Sequence, residues 1–263
     1  QRWGENDLAL AEAELLVRLD PRDESHILTL GELYWVRGKK EKADEIWRRL
    51  LTLFPGRATG QARLADVYAE HSLMTEALDL YQKAVRAEPN NLQIKRGLAQ
   101  SLERLSRPKD AVAIWEQIYF AASAPSDRPL RLEARQHLGK LLQKETRLLP
   151  TLYSWQRRLS AQLSQLVPDR MQPAELVALA VLVADVSLAI GQIGDAEAAL
   201  VQLQKRIPSG PLLAEVLLAL AAIYQQQHKL DEAIAVLKQA AILLPERRRE
   251  LQGDHRPPVQ CAA

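Results

Sequence analysis

Residues that could carry catalysis or bind a metal are scattered through this sequence of 263 residues. The five histidines include no HxxxH or HExxH pair, so we interpret them as surface or packing residues rather than metal ligands. Acidic pairs such as Asp44–Glu45 and Asp231–Glu232 are expected to be solvated charges on exposed helix faces. The single cysteine, Cys261, excludes an intrachain disulfide. We therefore expect no enzymatic activity, no metal and no cofactor.

The stretch GQIGD, Gly191–Asp195, has glycines that superficially match a phosphate-binding loop. Such a loop needs a lysine for the phosphates and a strand before it, and this stretch has neither. We interpret it as a turn between two helices, and we expect no small-molecule ligand.

The composition favours an all-α fold. Hydrophobic residues make up 47% and charged residues 26% of the sequence, and good helix formers dominate over β-branched and aromatic residues. The formal net charge of +2 is too small to argue for nucleic-acid binding by itself. The longest apolar stretch, Leu176–Ile190, is shorter than a bilayer-spanning helix and contains Asp185. We expect it to be a buried helix, and we expect no transmembrane segment.

Three prolines set a regular spacing along the first part of the sequence, because Pro21, Pro55 and Pro89 are each separated by 34 residues. Between them, apolar residues recur at intervals of three and four, which places them on one face of a helix. Each interval contains two such faces separated by a turn, and the proline ends the second helix. The first interval carries Ile27, Leu30, Gly31 and Tyr34, a turn at Gly38, and then Ala43, Trp47 and Leu50.

Small residues recur at fixed positions of this pattern. They are Gly31, Ala65 and Ala99 on the first helix of each pair, and Ala43, Ala77 and Ala111 on the second. These residues allow two antiparallel helices to approach closely, with a ring such as that of Trp47 filling the adjacent space. A glycine inside a helix costs about 1 kcal/mol relative to alanine, and we attribute this cost at Gly31 to close packing.

The pattern resembles the tetratricopeptide repeat, a helix–turn–helix unit of 34 residues. It returns near the C-terminal end, at Ala184, Ala196, Pro208, Ala221, Ala233, Ala240 and Pro245. Before the first full repeat, Ala9, Ala13 and Leu16 fit a second helix that lacks its first, so we expect the native protein to continue upstream. The resemblance implies an all-α, right-handed superhelical solenoid of antiparallel helix pairs, with about six repeats plus a leading half-repeat.

Departures from the repeat divide the sequence into four predicted segments. They are an N-terminal subarray of a half-repeat plus three repeats (1–123), a degenerate repeat (124–175), a C-terminal subarray of two repeats (176–247) and a disordered tail (248–263). The degenerate repeat is expected to contain helices at about 132–146 and 150–167, the second being longer than usual. It has Gly139 at the small position and Trp155 where an aromatic residue belongs.

In this family the first helices of successive repeats line a concave surface that binds partners. The resemblance implies a groove lined by Glu32, Trp35, Asp66, Glu70, Arg96, Gln100, Arg104, Gln136, Lys140, Lys144 and Asp185. Residues 91–170 carry a net charge of +7, and a basic groove favours an acidic peptide. The alternative is that these residues are solvated charges on helix faces.

Trp35 is the best single candidate for an interface hot spot, because tryptophan is enriched where interfaces carry their energy. Packing against the neighbouring repeat is the alternative for this residue. Some family members grip a chaperone's C-terminal carboxylate through a lysine–asparagine clamp. The corresponding positions here hold Leu28 with Glu32, or Ala62 with Asp66, and this departure argues against a cochaperone.

These features favour a protein–protein interaction scaffold or adaptor, part of a larger protein, that binds a partner peptide or domain in the groove. One alternative is a segment of a bacterial envelope protein for polysaccharide export or assembly. Another is the regulatory arm of an enzyme whose catalytic domain lies outside this sequence. RNA binding ranks last, because exposed aromatic residues for base stacking are not evident. The compartment stays open between cytoplasm and periplasm.

Overall fold

The fold is taken from a computed structural model that describes residues 2–54, 56–122, 124–164 and 171–244, with side chains from residue 8 onward except that of residue 125. The regular secondary structure in these ranges consists of α-helices and 3-10 helices, and no strand occurs in them, which confirms the predicted all-α class. The chain forms two compact units, Gln1–Ala122 and Ser123–Ala263. The predicted disordered tail, with Cys261, lies outside the described residues.

The first unit begins with a single helix and continues as helix pairs. Its helices are α1 (Arg2–Leu19), α2 (Glu24–Val36), α3 (Lys40–Trp47), α4 (Leu50–Leu53), α5 (Arg57–Glu70), α6 (Met74–Ala87), α7 (Leu92–Arg104) and α8 (Pro108–Ala121). Helix α2 packs against α3, α5 against α6, and α7 against α8, while α1 packs against α2 as the expected half-repeat. The second helix of the first pair is split, because α3 ends at Trp47 and α4 begins at Leu50.

The second unit contains two regular pairs and two helices that depart from this arrangement. Its α-helices are α9 (Arg128–Lys144), α10 (Leu149–Leu163), α11 (Pro173–Ile190), α12 (Gly194–Arg206), α13 (Pro211–Gln226) and α14 (Leu230–Leu243), with 3-10 turns at Pro125–Asp127 and Thr146–Leu148. Helix α11 pairs with α12, and α13 pairs with α14. Helix α9 packs against α11, whereas α10 packs against α11 and α12.

Helices α9 and α10 are therefore not packed along each other as the two helices of a repeat, within the part of the chain that the structure describes. The sequence places these helices at about 132–146 and 150–167, and the structure begins them at Arg128 and Leu149. Helix α10 ends at Leu163, before the expected end at about residue 167, and residues 165–167 lie outside the described ranges.

One residue with a left-handed backbone marks the turn inside each regular pair. These residues are Gly38 (φ 73°), Ser72 (φ 63°), Ser106 (φ 55°), Gly191 (φ 76°) and His228 (φ 60°). The first three are spaced by 34 residues, so the backbone repeats with the same period as the sequence. A left-handed residue is a common way for a helix to end. The interpretation of GQIGD as a turn is confirmed, because α11 ends just before it and α12 begins within it.

The small residues bring the paired helices together as the pattern predicts. A Cβ atom added to Gly31 would overlap the indole ring of Trp47, which is 1% exposed. Trp155 is also buried, in agreement with its predicted aromatic position, and so is Trp115 on α8. Alanines at the equivalent small positions, Ala65 and Ala99, have no exposed surface. Close approach of the helices therefore requires a small residue at this position.

Helix α11 contains the apolar stretch Leu176–Ile190 and begins three residues before it, at Pro173. Its 18 residues have a mean hydropathy of 2.0, enough by length and composition to cross a membrane. However, 56% of this helix is buried inside the protein, where it packs against α9, α10, α12 and α13. A core helix meets the same criteria of length and composition.

Candidate functional site

The groove residues predicted from the repeat belong to both units. Those on α2, α5 and α7 lie in the first unit, and those on α9 and α11 lie in the second. The acidic side chains Glu32 and Glu70 are exposed. Arg96 and Gln100 are half-buried on α7, and Arg104 is exposed. The Arg104 guanidinium donates a hydrogen bond to the backbone carbonyl of Ala69, with a nitrogen–oxygen distance of 3.1 Å, and so links α7 to α5.

Trp35 lies half-buried in an aromatic cluster rather than standing free on the surface. Its ring is 5.6 Å from the ring of Trp47 and 4.8 Å from that of His71, measured between centroids. The Lys40 ammonium lies 4.9 Å from the centroid of the Trp35 ring, and the Glu32 carboxylate is 3.0 Å from Nε2 of His71. The structure therefore brings Glu32 and Trp35 together around His71. This contact supports the packing alternative for Trp35.

His71 is the residue that the sequence analysis missed in this cluster. It follows the last residue of α5 and immediately precedes the left-handed turn residue Ser72. Its ring stacks on that of Trp47 at a centroid distance of 4.5 Å. The 34-residue spacing between Gly38 and Ser72 locates this turn, but nothing in the spacing indicates which rings meet beside it.

Asp66 takes part in contacts within the fold. It accepts a hydrogen bond from the hydroxyl of Tyr81 on α6 and lies 3.3 Å from the Arg63 guanidinium. Tyr68 likewise donates its hydroxyl hydrogen bond to Asp44, so Asp44 differs from the solvated charge expected of it. These carboxylates connect helices, and a partner would have to compete with those contacts.

Hydrogen bonding and burial raise the pKa values of three tyrosines of the first unit. The hydroxyl of Tyr34 donates to the Glu14 carboxylate at 2.6 Å, and this bond, with burial, raises the pKa of Tyr34 to about 12. The pKa of Tyr68 is also raised, chiefly by burial and secondly by the hydrogen bond to Asp44. The pKa of Tyr81 is likewise raised, chiefly by burial and secondly by the hydrogen bond to Asp66. In each case the ionised phenolate would be disfavoured by a neighbouring carboxylate.

The predicted residues of the second unit separate into two groups. Gln136, Lys140 and Lys144 are exposed along α9 at spacings of four residues, so they follow one side of the helix. Asp185 on α11 instead forms an ion pair with Arg135 of α9, with a nitrogen–oxygen distance of 2.7 Å. Burial raises the pKa of Asp185, and the Arg135 charge partly opposes that rise. Asp185 therefore joins two helices, whereas the two lysines remain exposed.

Helices α9 and α10 are both rich in basic residues. Helix α9 has five arginines and lysines and one acidic residue, Glu133, while α10 has two arginines and no acidic residue. No group of three or more histidine, cysteine, aspartate or glutamate side chains able to hold a metal occurs among the described residues. The chemistry that the exposed basic side chains of each helix offer is recognition of negative charge.

Comparison with known families identifies the repeat. One model of the tetratricopeptide repeat matches residues 28–92 and 76–128, and a second such model matches residues 214–241. The chain is a tetratricopeptide repeat protein. The matched residues run from within α2 through α8 in the first unit and over most of the α13–α14 pair in the second. Tetratricopeptide repeats are generally non-catalytic scaffolds for protein–protein interactions.

Similar proteins include the cytochrome c-type biogenesis protein CycH of Rhizobium meliloti (strain 1021), which is 26% identical over 138 residues. The match covers 51% of this tetratricopeptide repeat chain and 36% of CycH, so the chain spans about a third of the length of that relative. Solved structures with a similar fold include YrrB, a TPR protein with an unusual peptide-binding site (16% identity, 93% of this chain and 98% of YrrB, TM-score 0.35). Another is pilF of Pseudomonas aeruginosa (21% identity, 89% of this chain and 100% of pilF, TM-score 0.37).

Proposed function

We propose that this tetratricopeptide repeat chain is a scaffold that binds an acidic segment of a partner protein, and that the exposed lysines of α9 contribute to the contact. The observation that carries the proposal is the position of Gln136, Lys140 and Lys144 on one side of a helix that has a single acidic residue. The positive charges of Lys140 and Lys144 attract acidic segments over several ångströms and raise their rate of encounter.

The other predicted groove residues support the proposal less directly. Asp66 and Asp185 are engaged with Tyr81 and Arg135, and Arg104 donates to a backbone carbonyl. Substituting any of them would disturb the fold together with any binding surface. Lys140 and Lys144 are exposed, so their charge can be reversed with less risk to the structure.

A capture experiment with two charge-matched variants tests the proposal. Three chains are each used to retain proteins from lysate of the source organism: the parent, the α9 variant Lys140→Glu/Lys144→Glu, and the control Lys205→Glu/Lys238→Glu. The two lysines of the control are exposed on α12 and α14. We expect an acidic partner to be retained by the parent and the control and lost from the α9 variant. Equal retention by all three chains would contradict a role for the α9 lysines.

A second proposal concerns the cellular process. The likeness to CycH, a cytochrome c-type biogenesis protein, favours a role for this chain in the biogenesis of c-type cytochromes. Deletion of the gene in the source organism is then expected to lower the amount of c-type cytochromes seen by haem staining, with restoration by the parent gene. Unchanged haem staining would exclude this process, and it would leave the scaffold proposal to the capture experiment.

A further inference from the structure

One position of the repeat differs from all its equivalents in the described chain. The small residue on the first helix of each repeat is buried at Gly31, Ala65, Ala99, Ala184 and Ala221. The residue at the same place in α9, Gly139, is only half-buried. A Cβ atom added there would meet no other atom within 4 Å. The space that a partner helix normally fills is therefore open at Gly139.

The cause lies in the packing of α10. In the first repeat, the second helix brings the Trp47 ring against Gly31. In the degenerate repeat the corresponding helix, α10, packs against α11 and α12, and its aromatic residue Trp155 is buried outside the 4 Å shell around Gly139. Helix α9 thus keeps the small residue of a helix–helix contact without the helix that would use it.

The residues around Gly139 form a continuous face, which we call the Gly139 surface. Leu132, Gln136, Gly139 and Gln143 follow one another at spacings of four, three and four residues, so they share one side of α9. Leu132 is 46% exposed, and both glutamines are exposed. Lys140 borders the surface and is exposed as well. An exposed leucine two turns away from an open glycine, on the same side of α9, is suited to a helix that brings its own apolar side chain.

We propose that the Gly139 surface docks an amphipathic helix of a partner protein, which takes the place that α10 leaves open. The helix carries one large aromatic side chain that enters the space beside Gly139, as Trp47 does beside Gly31. Acidic residues flank that side chain, because Lys140 borders the surface, Lys144 lies one turn further along, and α9 has five basic residues and a single acidic one. This inference rests on the proposed scaffold function and specifies the form of the partner segment.

Three synthetic peptides serve as probes. Each is a stapled helix of about 15 residues, because shorter isolated helices are marginal in water. The first has an acidic polar face and one tryptophan on its apolar face, the second replaces that tryptophan with alanine, and the third replaces its acidic residues with lysine. Binding to the full chain is measured by calorimetry. We expect the first peptide to bind, the second to bind about tenfold more weakly, as for the loss of a buried tryptophan anchor, and the third not to bind.

Two protein variants locate the contact. Gly139→Trp fills the open space from within, so we expect it to weaken binding of the first peptide about tenfold. Gly194→Trp is the matched control, because Gly194 is exposed at the start of α12 and also has no atom within 4 Å of an added Cβ. It should bind like the parent. Circular dichroism of both variants checks that the helices are retained.

A fluorescence measurement gives an independent readout. In Gly139→Cys/Cys261→Ser a bimane dye is attached at position 139, and a tryptophan that comes into contact with the dye quenches it. We expect quenching by the first peptide and none by the second. Quenching or a blue shift that depends on protein concentration without peptide would show a second copy on the surface and overturn the inference.

The failure of this inference can be told apart from the failure of the scaffold proposal. Equal binding of the first peptide to the parent and to Gly139→Trp would overturn docking at Gly139, while capture of an acidic partner through Lys140 and Lys144 would still support the scaffold. Absence of binding by all three peptides would also overturn the inference. Loss of both peptide binding and lysine-dependent capture would remove the two proposals together.

Discussion

At the scale of single residues, the same residue type has opposite roles in two repeats. Gly31 is buried against Trp47, whereas Gly139 faces open space. Both occupy the small position of the repeat, so a sequence pattern treats them as equivalent. The difference lies in whether a second helix is present beside them.

Substitution of these two glycines by leucine is expected to separate the two cases. Gly31→Leu would force the Trp47 ring aside and should lower the free energy of unfolding by about 1–3 kcal/mol, the usual cost of overpacking. Gly139→Leu meets no atom and removes a helix glycine, so it should leave stability unchanged or raise it by up to about 1 kcal/mol. Urea denaturation followed by circular dichroism measures both. Equal destabilisation by the two substitutions would contradict the packing account.

The tyrosine–carboxylate hydrogen bonds predict an alkaline limit to stability. The pKa values of Tyr34, Tyr68 and Tyr81 are all raised in the folded chain, so the native state holds these protons after the unfolded state has released them. Their contribution is therefore complete below the unfolded pKa of about 10 and is lost as the pH rises through the folded values. For Tyr34 the folded value is about 12.

The urea concentration at the midpoint of unfolding, measured between about pH 8 and pH 12, should stay constant up to about pH 10 and fall at higher pH. Absorbance of tyrosinate at the same pH values should show a group of tyrosines that ionise late. The triple variant Tyr34→Phe/Tyr68→Phe/Tyr81→Phe is the control, and its midpoints should fall less steeply in this range. A parent and a triple variant with the same alkaline slope would contradict the assignment.

At the scale of helices, the Arg135–Asp185 ion pair connects α9 to α11. Leu138 and Leu142 on the same helix are buried, so α9 is anchored by apolar burial as well as by this pair. Removing the arginine would leave a partly buried carboxylate without its partner. Removal of the arginine alone should therefore lower the free energy of unfolding more than removal of both charges together.

We expect Arg135→Gln to lower the free energy of unfolding at pH 7 by about 1–2 kcal/mol, between the values for exposed and buried pairs. Because the pKa of Asp185 is raised in the folded chain, protonation favours the folded state, and its effect is lost as the pH rises through the folded pKa. The loss caused by Arg135→Gln should accordingly be smaller near pH 4, the ordinary range of an aspartate pKa. Urea denaturation of the parent and of Arg135→Gln at pH 7 and near pH 4 measures this loss of stability.

The double variant Arg135→Gln/Asp185→Asn is the control for this pair. It removes both charges and keeps similar side-chain shapes, so it should recover a large part of the stability lost at pH 7. A double variant as unstable as Arg135→Gln would mean that packing of the arginine chain, rather than the charge of Asp185, is responsible.

At the scale of the whole molecule, contacts divide the chain after Ala122, close to the boundary proposed from the sequence at residue 123. Each unit contains buried tryptophans of its own, Trp47 and Trp115 in the first and Trp155 in the second. In repeat proteins stability is approximately a sum of repeat and neighbour contributions, so a subarray can fold by itself.

Residues 1–122 alone are therefore expected to be helical and to unfold in a cooperative transition. Circular dichroism and urea denaturation of this fragment, beside the full chain, test the expectation. A fragment without a helical spectrum would contradict independent folding of the first unit and would argue that the boundary has no thermodynamic meaning.

The sequence by itself determined the repeat, most of its helices and the buried aromatic residues. This was possible because helix periodicity, turn residues and small-residue positions are local properties that recur every 34 residues, as Gly38, Ser72 and Ser106 do. The tertiary structure decided the contacts of Asp66 with Tyr81 and of Trp35 with His71. It also decided the displacement of α10 from Gly139, because a helix packs on whichever surface, near or distant in sequence, buries its apolar side best.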